Sequence, residues 1–176
     1  MTAKALAGNR LRSSVEAMIE QERRILAAQG YFELGLHAEA REEMRQLPPA
    51  AFERSDVVEL TLLCLMGEQR WSEALVVAHR LCALEPEQPG GFIHAAFCLH
   101  ELGRTREALD LLARGPASLR TKPVYYYNLG CYLARLGEAE KALPLLRQSF
   151  EMDGSLRRHA RHDPDLDPLR DKLESA

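Results

Sequence analysis

Apolar positions in this chain fall at helical spacing in short blocks separated by glycine or polar breaks. The clearest block places Tyr126, Leu129, Gly130 and Leu133 at i, i+3, i+4 and i+7, one face of a helix. Gly137 follows, a residue that tolerates the left-handed conformation at a helix end. Ala142, Leu145, Leu146 and Phe150 then mark the apolar stripe of a partner helix. The predicted unit is a pair of short amphipathic helices. Ser55, Ser72 and Thr105 are candidate N-caps for other helices, and Thr121 with Pro123 close behind marks one more start.

The unit repeats. Ala40, Ala74, Ala108 and Ala142 recur every 34 residues without a gap, and a fixed period in this range points to stacked supersecondary units. A glycine stands five places before three of these alanines, at Gly35, Gly103 and Gly137; the second unit has Gln69 there and its glycine earlier, at Gly67. Four units at 21–54, 55–88, 89–122 and 123–156 follow, with segments 1–20 and 157–176 left as ends. Pro48-Pro49 and Gly115-Pro116 predict that the second helices of units one and three stop early. Pro144 is expected in or near the first turn of the last repeat's second helix, or else at a kink.

Tyr126, Leu129, Gly130, Leu133, Gly137, Ala142 and Leu146, with Trp71, Ala74 and the closing Leu84-Glu85-Pro86 of the second unit, resemble the tetratricopeptide repeat (TPR) pattern. The C-terminal Asp163-Pro164-Asp165-Leu166 resembles the ending of some bacterial TPR proteins. The resemblance implies an all-α fold, a right-handed α-solenoid of four TPR hairpins with short helical caps at both ends. It also implies a concave surface that binds a protein partner. Ser13 or Ser14 is the candidate start of a leading helix through Val15, Met18 and Ile19 that extends the first repeat or caps it. Leu166 and Leu169 are expected to cover the exposed end of repeat four, with the Asp-Pro pairs as N-caps.

At about 100° per residue, the face opposite the packing stripe of repeat four carries Val124, Tyr127, Cys131, Ala134 and Arg135. By register, the groove expected in the family then takes Glu22, Ile25, Gln29, Phe32 and Glu33 from repeat one. Repeat two gives Asp56, Glu59, Leu63, Met66 and Gly67, and repeat three gives Gly90, Ile93, Phe97, His100 and Glu101. Five carboxylates face one arginine, interleaved with apolar side chains, so the expected ligand is a peptide or helix with apolar anchors and basic flanks. The alternatives are that the chain's own N- or C-terminal segment fills part of the groove, or that the isoleucine and phenylalanine side chains pack locally against the next repeat. The family's capture of a C-terminal carboxylate needs Lys, Asn and Arg. The matching places hold Ile25, Gln29, Leu60, Gly90 and His94, or Glu59, Leu63, His94, Val124 and Asn128, which excludes that mode. A TPR secretion chaperone holding an exported client is the second functional reading, and the free edge of the array is a surface for a homodimer.

Composition fits a folded helical chain: 176 residues, 46% hydrophobic, 28% charged and 6% aromatic. A net charge of −3 gives no cationic field for nucleic acid. The apolar stretch from Val57 to Met66 is too short for a membrane span, and no signal sequence is evident, so a cytoplasmic location is expected. Cys64, Cys82, Cys98 and Cys131 show no metal spacing and are expected as free thiols, with Cys64 and Cys98 filling core places. His94 and His100 fall on different faces of one helix. No catalytic motif is present, so no enzyme activity, cofactor or metal is expected. The basic run Arg157, Arg158, His159, Arg161 and His162 leads into the tail aspartates; a solvated or intramolecular role outweighs metal or RNA binding.

Overall fold

The computed structural model describes residues 3–174, with side chains over 14–173. Every regular element among them is helical: α1 (Ala3–Glu33), α2 (His37–Arg45), α3 (Ser55–Gly67), α4 (Trp71–Leu84), α5 (Pro89–Glu101), α6 (Thr105–Arg114), α7 (Pro123–Arg135), α8 (Ala139–Met152), α9 (Gly154–Ala160) and α10 (Arg170–Glu174). Turns of 3-10 helix occupy Pro49–Glu53, Ala117–Thr121 and Pro164–Leu169. The chain divides into two compact units, Met1–Arg70 and Trp71–Ala176. That division falls inside the second expected repeat, between α3 and α4.

In the first unit α1 pairs with α2, and α3 packs on α2. Ile25, Ala28, Ala40, Met44, Leu47, Val57, Leu60 and Cys64 form the core, with Phe32 and Phe52 against it. In the second unit α4 packs on α5, α5 pairs with α6, α7 pairs with α8, α9 follows against α8, and the last 3-10 turn lies on α7. The periodic alanines Ala40, Ala74, Ala108 and Ala142 are fully buried. A larger side chain at any of them would force the backbones apart.

Each first helix ends in the same way. Leu36 N–H bonds the Tyr31 carbonyl and Gly35 N–H bonds that of Phe32, a Schellman closure. The same pair recurs one period later at Arg70/Leu65 with Gln69/Met66, then at Arg104/Leu99 with Gly103/His100, then at Glu138/Leu133 with Gly137/Ala134. The turn residue has φ of 75°, 76° and 77° at the three glycines and 57° at Gln69. Gln69 therefore carries the Cβ crowding that glycine avoids. Gly67 has a different task, because a Cβ there would collide with the His37 ring.

The expected early stops occur: α2 has 9 residues and α6 has 10, each followed by a 3-10 turn, whereas α4 and α8 have 14. Pro144 is not in the first turn; it lies inside α8, where it denies the Glu140 carbonyl its helical donor. The expected hydroxyl caps are absent. Ser55 and Thr105 are first helical residues behind Arg54 and Arg104, Ser72 lies within α4, and α7 starts at Pro123 behind Lys122. Ser13 and Ser14 sit within the continuous α1, so the leading segment extends the first helix and is no separate cap.

Candidate functional site

The expected groove residues fall into three environments. Glu22, Gln29, Glu33, Asp56, Glu59, Glu101 and Arg135 are exposed, and Phe32, Leu63, Met66, Ile93, Phe97 and His100 are half-buried. Ile25, Tyr127 and Cys131 are buried, which corrects their reading as open contacts. Ile25 belongs to the core of the first unit, in one cluster with Ala40 and Met44 of α2 and Val57, Leu60 and Cys64 of α3.

Tyr127 and Cys131 are buried because the chain's own C-terminal segment lies on α7. Leu166 and Leu169 are 1% and 2% exposed, and burying two leucines contributes about 3–6 kcal/mol. Asp163 has both oxygens engaged. Oδ1 accepts the Asp165 N–H at 2.9 Å, capping the 3-10 turn, with Pro164 at its first position. Oδ2 accepts the Tyr127 hydroxyl at 2.6 Å and the Cys131 thiol at 3.7 Å. Burial and these carboxylate neighbours push the Tyr127 hydroxyl and the Cys131 thiol well above their ordinary ranges, so both stay protonated as donors.

Asp165 ties the tail to α5 as well. Its Oδ2 lies 2.8 Å from Nε2 of His100, whose Nδ1 lies 2.9 Å from the Thr105 hydroxyl. Arg135 Nε stands 3.6 Å from the other oxygen. His100 and Arg135, read from sequence as ligand contacts, are thus engaged by the tail. Leu166 and Leu169 cover the first helix of the last repeat, on the face assigned to the groove.

The roles of Asp163 and Asp165 toward α7 escaped the sequence reading, although a signal existed. From Tyr125 to Ala134, α7 has no polar face, with Asn128 its one amide, and a helix apolar all round must be covered on every side.

The acidic character is also narrower than expected. Arg54 bonds the Glu22 carboxylate and grips Asp56 with two nitrogens, at 3.1 and 2.7 Å. Those hydrogen bonds hold Asp56 below the usual carboxylate range. Glu59 and Glu101 remain exposed outside these pairs.

On α5, Ile93 and Phe97 present partly open apolar surface, and Phe97 meets the edge of Trp71 at 5.7 Å between centroids. Neighbouring His94 is held below its ordinary pKa by burial. Cys64 and Cys98 are fully buried with their thiols pushed up to about 11, as core fillers.

Comparison with known proteins places this geometry. A tetratricopeptide repeat model matches residues 89–114 and 123–148, the α5–α6 and α7–α8 hairpins. The fold is that of TPR proteins of known structure. It is similar to MamA 41-end from Desulfovibrio magneticus RS-1, with 15% identity over 89% of this chain and 88% of that one and a TM-score of 0.71. It is also similar to TTC0263, a thermophilic TPR protein in Thermus thermophilus, with 18% identity over 89% and 91% and a TM-score of 0.68. YrrB, a TPR protein described as having an unusual peptide-binding site, shares 23% identity over 77% and 71% with a TM-score of 0.66. No curated protein matches the sequence. Among the described residues no helix is long and apolar enough to cross a membrane.

Proposed function

We propose that the protein is a non-catalytic interaction scaffold that docks a helix or extended segment of another protein on the groove faces of its repeats. One observation carries this reading: the chain's own segment Asp163–Leu169 docks on that face of α7, using two leucines and two carboxylates. That segment supports the reading that an extended stretch of chain can lie along this face of a repeat's first helix. The equivalent face of α5 bears Ile93, Phe97 and Glu101, and that of α3 bears Glu59, Leu63 and Met66, with their apolar side chains partly open. Peptide binding by the structural neighbour YrrB supports the same reading.

The ligand has apolar anchors with basic flanks, because Glu59 and Glu101 border the open apolar side chains. The test is affinity capture with the wild-type chain and with Phe97→Ala/Glu101→Lys, read by quantitative mass spectrometry. The expected outcome is loss of the specific prey with an unchanged helical circular dichroism spectrum. Retention of the same prey by the folded variant sinks the proposal.

A further inference from the structure

The C-terminal end of the second unit holds a cavity of about 330 Å3 lined by Phe150, Arg157, Ala160, Arg161, Arg170 and Leu173. Its volume is at the small end of the range for ligand pockets, roughly 300–1,000 Å3. Three arginines and an apolar floor meet there.

Arg157 lies over the Phe150 ring, 5.7 Å from its centroid, which holds the guanidinium in place. Arg170 is fixed by donation to the Asp167 carboxylate and to the Arg161 carbonyl. Arg157 and Arg161 make no ion pair among the described residues. No acidic residue interrupts the chain between Asp153 and Asp163, and Asp167 pairs with Arg170.

Complementing the C-terminal end of α9 accounts for Arg157 and Arg158 in its last turn. The same role extends to Arg161 at the C-cap, but it does not account for Arg170 or for the apolar lining of Phe150, Ala160 and Leu173 beside them.

We propose that this cavity binds an acidic segment of a partner protein, with one apolar side chain seated on Phe150 and Leu173 and its neighbouring carboxylates held by Arg157 and Arg161. Planar guanidinium groups match carboxylates in bidentate fashion, and the floor rewards an apolar residue between them. RNA fits less well: Phe150 is the one aromatic side chain among the described lining residues, and stacking successive bases needs more than one platform. The site is opposite in charge preference to the faces of α3 and α5, and it stands or falls separately from the scaffold reading above.

The test is fluorescence anisotropy on the full chain with three labelled probe peptides: glutamate–leucine, lysine–leucine and glutamate–serine. The glutamate–leucine probe is expected to bind with an affinity that falls as salt rises. Arg157→Glu/Arg161→Glu is expected to weaken it at least about tenfold, equivalent to about 1.4 kcal/mol. Arg157→Lys/Arg161→Lys, which keeps the charge and loses the planar fork, is expected to give an intermediate loss; it carries the test if the charge reversal perturbs folding. Equal binding of the lysine–leucine or glutamate–serine probe overturns the proposal. So does unchanged binding by the folded charge-reversal variant, or binding of inorganic phosphate alone as tight as that of the peptide.

Discussion

Helices α5 and α7 hold the same place in successive repeats, begin at a proline, end in the same Schellman closure and have the same 13-residue length. Their outer faces nevertheless meet different fates. On α5, Ile93 and Phe97 stay partly open; on α7, the equivalent Tyr127 and Cys131 are sealed under the chain's own tail. The inner faces differ too. Ala96 of α5 is fully buried, and at the matching Gly130 a Cβ would come within 2.6 Å of Leu146. A repeat thus fixes where a helix lies, while single side chains decide whether its outer face stays open. A tyrosine hydroxyl and a thiol give the tail carboxylate something to bond, and Ile93 and Phe97 offer no such donors.

The largest test of this contrast removes the seal. Leu166→Ala deletes a side chain that is 1% exposed and is expected to destabilise the second unit by about 2–5 kcal/mol in chemical denaturation. Cys131 alkylation should then accelerate in native buffer, with Cys98 still protected; a Cys131 rate unchanged from wild type would show that the tail is not what shields it.

Swapping the inner residues gives a smaller effect. Gly130→Ala is expected to cost about 1–3 kcal/mol through overpacking against Leu146, although alanine is the better helix former. Ala96→Gly should cost about 1–2 kcal/mol, through backbone entropy and the loss of a buried methyl. Equal losses for the two variants in thermal melts would mean that the two hairpins are packed alike.

The shared closure can be sharpened at its exception. Gln69→Gly relieves a left-handed residue and is expected to stabilise the chain by about 1 kcal/mol, whereas Gly103→Gln should cost about as much. A lower melting temperature for Gln69→Gly would refute the crowding assigned to that turn.

The smallest effect concerns the corresponding face of α3. Arg54 holds Asp56 below its ordinary value of 3.8, so the folded chain binds that proton less readily than the unfolded chain. The stabilisation is complete above this value and is lost as pH falls through the lowered one. Because the pair is exposed it amounts to a few tenths of a kcal/mol. Asp56→Asn should remove that part of the acid dependence of the melting temperature; an unchanged profile would show the pair to be inert.

Much of this architecture was legible in the residues. The 34-residue period located the helix pairs α1–α2, α5–α6 and α7–α8, the buried alanines and three of the four turns, because helix pairing at close range admits only small side chains and the turn admits glycine most easily. Pro48-Pro49 and Gly115-Pro116 foretold the short α2 and α6, since proline lacks the N–H that would continue a helix. The hydroxyl caps failed for a local reason: Arg54, Arg104 and Lys122 hold the cap positions without a side-chain bond.

What escaped was the partnering of distant segments. Helical spacing defines a stripe on α1, but it cannot say that Ile25 joins the core shared with α2 and α3, and it placed Ile25 in the groove. Glu22 read as a free charge until folding brought Arg54 to it across some thirty residues of chain, whereas the Arg54–Asp56 pair, two residues apart, is local. The tail reads as a pair of Asp-Pro caps, and Asp163 does cap; its second oxygen is free to reach Tyr127 only because the 3-10 turn is laid along α7. Sequence by itself determined the elements and their period, since those depend on backbone geometry and on neighbours a few residues away. Tertiary structure alone decided which face of α7 is closed and which carboxylates are neutralised, because those outcomes depend on contacts that no local periodicity encodes.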